Sequence, residues 1–326
     1  MTGPPVPPHH TALVAARTPL CEGVVGLDLV PADAAAAWLP APAGAHLDLV
    51  LPNGLVRQYS VHAPTADGRG YRIAVQREAQ GRGGSAWIHD HLQPGTTLSV
   101  SEPRNAFALV AAPRYKFIAG GIGITPILAM LRDALARGVP ATLHYCTRDA
   151  ARTAFLGELR TPPFAAAANV VHDGGDPARG LDLAKAIGPF DGATALYCCG
   201  PNGLMAAVAS TAKAAGWPEA HLHFEHFKRS EPEAVGGNRS FRIRIASTGD
   251  VFDVAADQTV LEVLREHDHY LDSSCEQGLC GTCRVGVLEG VVDHRDEFLG
   301  AAERAENSAM TTCCSRALSA ELVLDL

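Results

Sequence analysis

No stretch of this chain reaches the ~18 consecutive apolar residues that a membrane-spanning helix needs, so no membrane span is expected. A basic excess is missing too. Lys and Arg number 27 against 35 Asp and Glu, a formal net charge of −8, which argues against a nucleic-acid binder. The start, Met1 to His10, is Pro-rich and polar and lacks the apolar core of a secretion signal. Charged residues are only 19% of the chain and hydrophobic ones 47%, which excludes a disordered polymer and fits a globular protein. Nine cysteines without a secretion signal point to a reducing cytoplasm, where free thiols and metal ligands are the norm. A length of 326 residues leaves room for two or three domains.

What is there is organised around Cys275-Glu-Gln-Gly-Leu-Cys280-Gly-Thr-Cys283. A fourth candidate, Cys313, follows with 29 residues between it and Cys283. C-x4-C-x2-C…C is the plant-type [2Fe–2S] spacing, in which four soft thiolates converge on two irons. Gly278 and Gly281 let the loop curl and turn N–H groups toward the sulfurs. A zinc site would show two close pairs instead of a triplet plus one. A disulfide framework belongs to small secreted chains. Cys314 neighbours Cys313, so chemistry alone leaves the fourth ligand ambiguous. Cys21, Cys146 and Cys198 read as buried small hydrophobes.

Residues 11 to about 110 read as short strands divided by Pro, Gly and Asn clusters: Thr11–Val14, Val24–Val30, His46–Leu51, Tyr71–Val75 and Thr97–Val100. Such spacing suggests a small antiparallel barrel. One helix-like run, Ala86–Leu92, interrupts it. Arg57-Gln58-Tyr59-Ser60 sits at the end of a strand, and Gly81-Arg82-Gly83-Gly84-Ser85 opens the helix. A glycine-lined helix start beside an Arg is a natural phosphate seat, although a hairpin loop before a capped helix reads the same way.

From residue 113 the period changes. Strands at Tyr115–Ala119, Ala141–Cys146, Ala168–His172 and Ala195–Cys199 alternate with helix-like runs, of which Ile127–Arg137 is the clearest. This is βαβ alternation and implies a parallel sheet with helices on both faces. Gly120-Gly121-Ile122-Gly123-Ile124-Thr125-Pro126 falls where such a sheet binds a dinucleotide's pyrophosphate, with Pro126 suited to a helix's first turn. Gly121, Gly123, Thr125 and Pro126 are the candidate contacts. Asp149, past the second strand, suits a ribose 2′-OH and so NADH, while Arg148 beside it equally suits a 2′-phosphate. Cys199, Gly200 and Pro201 end the last strand, where small residues let a flat ring approach. A Pro-Asn-Gly turn into a helix is the plainer reading of that last segment.

His223–Lys228 closes the nucleotide region, and Arg229–Asn238 reads as a polar hinge. Phe241–Ile245 and Val251–Val254 then alternate as strands, Thr259–His267 is a helix, and Arg284–Leu288 and Glu321–Leu324 are strands again. A sheet with one crossing helix shelters the cysteine loop.

In this order, Arg57–Ser60 with Arg82–Ser85 resembles the flavin site of ferredoxin-NADP reductase-type barrels. Gly120–Pro126 with Cys198–Met205 resembles their pyridine-nucleotide domain. The C-terminal placement of the cysteine motif is similar to the phthalate dioxygenase reductase and vanillate demethylase reductase family, the single-chain reductases of Rieske oxygenases. The resemblance implies a multidomain protein. An antiparallel β-barrel FMN domain spans 1–110 and an α/β parallel-sheet NAD domain 111–228. A linker at 229–238 leads to an α+β β-grasp ferredoxin domain at 239–326. It implies Arg57, Gln58, Tyr59, Ser60, Ala74, Val75, Arg82, Gly83, Gly84 and Ser85 around FMN, with Ser60 near its reactive N5. It also implies Cys199 beside the nicotinamide and Phe227 as a shield on the flavin. Cys313, in Cys313-x-Ser315-Arg316, becomes the fourth ligand after Cys275, Cys280 and Cys283.

The activity so implied is an NADH-dependent reductase. NADH delivers two electrons at once and a [2Fe–2S] cluster takes one, so a flavin must split the pair. The expected acceptor is a terminal oxygenase component. A cytochrome P450, or a flavin and iron–sulfur sensor role, are the alternatives. A monomer is expected. His62, His89 and His91 are the histidines available to titrate near a flavin.

Overall fold

The computed structural model describes residues 9–227 and 238–326. Contacts group it into two compact units, one running to His226 and one beyond it. The expected hinge at 229–238 lies outside the described residues as far as 237, and the polar start lies outside them as far as Pro8.

Six strands close a barrel: β1 (His9–Cys21), β2 (Val24–Pro31), β3 (His46–Val50), β4 (Val56–Pro64), β5 (Tyr71–Gln76) and β6 (Thr97–Ser101). Their order is β1-β2-β5-β4-β3-β6, and every pairing is antiparallel. Side chains two apart share a face of a strand. Accordingly Leu27 and Leu29 of β2, Leu47 and Leu49 of β3, and Ile73 and Val75 of β5 fill the interior together. Asp48 is buried on the β3 side and chelates the Arg104 guanidinium, both carboxylate oxygens at 2.7 Å. Helix α1 (Gly84–His91) joins β5 to β6 and buries Ile88. Arg57–Ser60 does not end a strand. β4 continues through Val61, His62 and Ala63, which are buried, so the segment lies in its first half.

The sheet that follows holds β7 (Arg114–Gly120), β8 (Ala141–Thr147), β9 (Ala168–His172), β10 (Thr194–Cys199) and β11 (Leu222–Glu225). They run parallel in the order β11-β10-β7-β8-β9. Helices α2 (Ile124–Ala136) and α5 (Asn202–Ala214) are long; α3 (Leu156–Leu159) and α4 (Leu183–Ile187) are single turns. α2 packs in one core with Phe117, Leu143 and Tyr145, while α5 packs in another with Ile118 and Leu196. Neighbouring residues of β7 therefore feed opposite faces, which is why Phe117, Ile118 and Ala119 form an unbroken apolar run. Pro126 does sit in the first turn of α2, and Gly138 ends it with φ 69°. The α2 core also takes in Val24, Ala74 and Phe107 from the barrel side. Tyr197 strengthens that union: its hydroxyl donates to Ala108 O at 3.0 Å and accepts the Val110 N–H at 2.7 Å.

Beyond His226 the described chain forms β12 (Phe241–Ile245), β13 (Val251–Val254), α6 (Val260–Glu266), β14 (Arg284–Glu289), β15 (Val292–Asp293), α7 (Ala301–Glu306), β16 (Ala309–Thr311), β17 (Arg316–Ala317) and β18 (Glu321–Asp325). The sheet order is β13-β12-β18-β14-β16, with β15 and β17 as a separate ribbon. Thr259 and Glu262 form a reciprocal capping box that starts α6. Val260, Val263 and Leu264 then face Ile243, Met310 and Leu322 in the core.

Candidate functional site

On the barrel, Arg57 and the Arg82–Ser85 segment come together. Arg57 donates to Val56 O at 2.7 Å and to Arg82 O at 2.6 Å. A Cβ on Gly84 would fall 2.5 Å from Arg57 Cγ and Nε, so only glycine lets the arginine cross the helix start. Gly83 precedes α1 at φ 79° and no side chain caps the helix. Its first N–H groups are thus left for an anion. Ser85 Oγ is partly used: it accepts the Glu78 N–H at 3.0 Å. Ser60 is buried at 6% exposure, and burial raises the Tyr59 phenol above its ordinary range. Ala74 and Val75 carry apolar side chains turned into the cores. Val75 points into the barrel core and Ala74 into the core shared with the parallel sheet.

His62 does not titrate where expected. His62 is tilted at 58° against Phe155 with centroids 4.7 Å apart, and burial pushes it down to about 3. His89 Nε2 bonds Val75 O at 2.9 Å, and His91 Nδ1 bonds Trp87 O at 3.2 Å.

In the parallel sheet, the ends of β7 and β10 meet backbone to backbone. A Cβ on Gly123 would lie 2.3 Å from Cys199 O, and one on Gly200 would lie 2.9 Å from Gly120 N. A Cβ on Gly120 would strike Pro201 and Leu204 at 2.7 Å. Gly121 adopts φ 53°, and its carbonyl accepts the Tyr145 hydroxyl at 3.0 Å. Thr125 Oγ1 donates to Ile122 O at 3.0 Å, tightening the turn. The expected pyrophosphate loop is therefore held from beneath by contacts that only glycine allows.

Cys199 is fully buried. Burial, then the carboxyl of Glu225, drives its thiol well above the ordinary range. Glu225 is its register partner across β10 and β11. Burial lifts the Glu225 carboxyl to about 8, and its Oε2 is shut from solvent with no hydrogen-bond partner. This residue was missed as a site member. It stands in the quoted Glu225-His226-Phe227, but a lone carboxylate has no spacing that marks it. Phe227 itself is exposed, at 37%. Asp149 is engaged: it accepts from Arg152 N at 3.0 Å and Arg152 Nη1 at 2.6 Å. Arg152 also reaches Glu22 Oε1 at 2.8 Å.

In the second unit the cysteines form two pairs. Cys275 and Cys280 share a thiol–thiol hydrogen bond, as do Cys283 and Cys313, and Cys313 also bonds the neighbouring Cys314 thiol. Being the acceptor lowers Cys280 to about 5 and also lowers Cys283; their donors are raised. The Gln277 and Leu279 N–H groups donate to Cys275 Sγ at 3.3 and 3.4 Å. Gly278 and Gly281 adopt φ 73° and 72°, and a Cβ on Gly281 would enter the Phe298 ring at 2.3 Å. Among the described residues no three His, Cys, Asp or Glu side chains gather as ligands of one ion. Two pairs are what two irons need. The donor set therefore fits a two-iron cluster. The arginine-crossed helix start fits a phosphate-bearing flavin.

A profile of the 2Fe-2S iron-sulfur cluster binding domain family matches residues 243–318. Vanillate O-demethylase oxidoreductase of Pseudomonas sp. (strain HR199 / DSM 7063) is 42% identical over 315 residues, covering 96% of this chain and 99% of that one. The chain belongs to the vanillate O-demethylase oxidoreductase and phthalate dioxygenase reductase family. A solved phthalate dioxygenase reductase, described as a modular structure for electron transfer from pyridine nucleotides to [2Fe-2S], superposes with a TM-score of 0.76 at 36% identity over 98% of each chain. A type IV self-sufficient cytochrome P450 monooxygenase gives 0.83 at 37% identity, covering 98% of this chain and 41% of that one. Barrel, parallel sheet and cluster domain are the architecture of this reductase family. No helix among the described residues is long and apolar enough to cross a membrane.

Proposed function

We propose that this chain is the NADH-dependent reductase component of a Rieske-type oxygenase system. It would pass electrons from NADH through FMN and a [2Fe–2S] cluster to a terminal oxygenase protein, acting as a cytoplasmic monomer. The paired cysteines, Cys275 with Cys280 and Cys283 with Cys313, carry this reading, because they occur in one chain with the glycine-built nucleotide turn. When bound, flavin supplies the change from a two-electron hydride to single electrons that iron requires.

The remaining work belongs to the chain. Residues 1–110 form the flavin barrel and 111–228 the nucleotide region, followed by the linker and the cluster domain from 239. Arg57, Arg82 and the α1 N-terminus hold the flavin phosphate. Gln58, Tyr59 and Ser60 would line the flavin ring, with Ser60 nearest its reactive nitrogen. Gly121, Gly123, Thr125, Pro126, Gly200 and Pro201 shape the nucleotide seat, and Cys199 borders the nicotinamide. Glu225, held near 8, stays mostly protonated at neutral pH and puts no full charge beside Cys199. Asp149 favours a free ribose hydroxyl over a 2′-phosphate. Cys275, Cys280, Cys283 and Cys313 ligate the cluster.

The test is NADH-driven reduction of cytochrome c by purified holoprotein. Its absence, with flavin and iron both bound, would refute the reductase reading and favour a sensor. The second reading, delivery to a cytochrome P450, is favoured by the similarity to the self-sufficient P450 chain. Mixing the reduced protein with each candidate acceptor separates the two.

A further inference from the structure

Asp296 lies between β15 and α7 and is buried, at 3% exposure. Its Oδ2 accepts the Leu299 N–H at 2.7 Å, and its Oδ1 accepts the Ser315 hydroxyl at 3.2 Å. Ser315 Oγ in turn accepts the Arg295 N–H at 3.2 Å. Ser315 belongs to the 311–315 turn that carries both Cys313 and Cys314. Within that turn Thr311 Oγ1 lies 3.2 Å from Ser315 Oγ and 3.2 Å from Cys314 Sγ. Thr312 clamps the turn to the pair partner of Cys313: its N–H and its hydroxyl both donate to Cys283 O, each at 3.1 Å.

The same segment grips the cysteine loop. The Glu297 N–H donates to Gly278 O at 2.9 Å. A Cβ on Gly278 would fall 2.9 Å from Asp296 Cα and 2.5 Å from Cys314 Sγ. Arg304 donates to Asp296 O and stands 3.9 Å from Oδ2, while His294 Nδ1 stands 3.7 Å from Oδ1. The Asp296 side chain therefore reaches the turn of Cys313 through Ser315, while the backbone of Asp296 and Glu297 lies against the loop of Cys275 and Cys280 at Gly278.

We propose that Asp296 is a positioning residue for the cluster, fixing the 311–315 turn through Ser315 so that Cys313, and not the adjacent Cys314, is presented to Cys283. This rests on the iron–sulfur reading above. Two neighbouring thiols on one turn are chemically equivalent ligands, so the choice between them must come from outside the pair. Outer partners of ligands typically change metal retention by 10–100-fold when removed. Asp296 is the buried carboxylate among the turn's outer partners, and it acts on the turn through Ser315.

The experiment uses the full chain reconstituted anaerobically with iron and sulfide. Wild type, Cys314→Ser, Asp296→Ala, Asp296→Asn and the double variant Asp296→Ala/Cys314→Ser are compared. The readouts are iron and sulfide content, EPR and circular dichroism of the cluster, and the rate of iron loss to a chelator. Cys314→Ser alone should leave the cluster spectra unchanged. Asp296→Ala should speed iron loss by about 10–100-fold and show a second EPR species. The second species should vanish in the double variant, where Cys314 can no longer substitute. Asp296→Asn, which keeps an acceptor for Ser315, should restore a single species. Should Asp296→Ala hold no cluster, Ser315→Ala decides, since it removes only the link and must then produce the second species. Unaltered spectra and unaltered iron loss in Asp296→Ala or Ser315→Ala, beside a loaded wild type, overturn this inference alone. A wild-type chain that takes up no iron and sulfide overturns the reading of the domain, and this inference with it.

Discussion

At the ends of β7 and β10 the nucleotide turn is shaped by side chains that are missing. A Cβ at Gly120, Gly123 or Gly200 would meet neighbouring atoms at 2.7, 2.3 and 2.9 Å. The cysteine loop beyond His226 is shaped by side chains that are present: two thiol pairs, and a buried carboxylate tied to their turn. The first kind of site is damaged by adding a carbon and the second by removing a sulfur or an oxygen. Because the two lie in separate compact units, damage to one should leave the other's own signal intact.

The largest expected effect tests that independence. Cys280→Ser removes one thiol of a pair and should abolish NADH-driven cytochrome c reduction while ferricyanide reduction by NADH persists. Equal loss of both would break the comparison, because the cluster would then not lie downstream of the flavin. Next is Gly123→Ala. Its Cβ must push against Cys199 O, so the first unit should lose about 1–3 kcal/mol in urea unfolding and NADH should bind more weakly. The cluster's EPR spectrum should not change.

A smaller effect concerns Glu225. Burial holds its folded value near 8, above its unfolded value. Between those two values the folded chain binds the extra proton, so stability falls as pH rises through that window. The urea midpoint of the first unit should therefore decline between pH 5 and 8 in wild type relative to Glu225→Gln. His62 and His46, pushed down to about 3 and about 4, lose stability in the other direction, as pH falls below the ordinary histidine range. Both variants share that slope, so their difference isolates Glu225. The smallest effect is at Asp149. Asp149→Ala breaks an exposed pair with Arg152 and should leave unfolding unchanged, shifting only the ratio of rates with NADH and NADPH toward NADPH.

The same contrast explains what could be read from residues alone. The cysteine loop is contiguous, and its spacing is itself the chemistry, so Cys275, Cys280 and Cys283 were legible before any fold, while the choice of Cys313 over Cys314 came only from the family resemblance. The barrel and the parallel sheet were legible from period: alternation in β2 and β5, short and largely apolar runs in β7 and β10. Glu225 was not, because its burial comes from pairing β11 with β10, which no local pattern announces. Asp296 was not, for a similar reason: its partner Ser315 lies 19 residues away. Arg152 was passed over beside Asp149, since its reach to Glu22 spans 130 residues. β15, β16 and β17 hold only two or three residues each, too few for alternation to show. Arg57–Ser60 was placed at a strand end because its polarity breaks the pattern, yet the strand runs on through buried His62.

The account's central claim is that paired electrons enter this chain from a nicotinamide and leave it singly through iron. An anaerobic titration of the reconstituted wild-type protein with NADH, followed by visible absorbance and EPR together, tests it most directly. Flavin bleaching accompanied by the EPR signal of a reduced two-iron cluster, with both flavin bleaching and no cluster signal in Cys280→Ser, is the predicted result. NADH that bleaches the flavin of the wild type yet leaves its loaded cluster oxidised would contradict the claim.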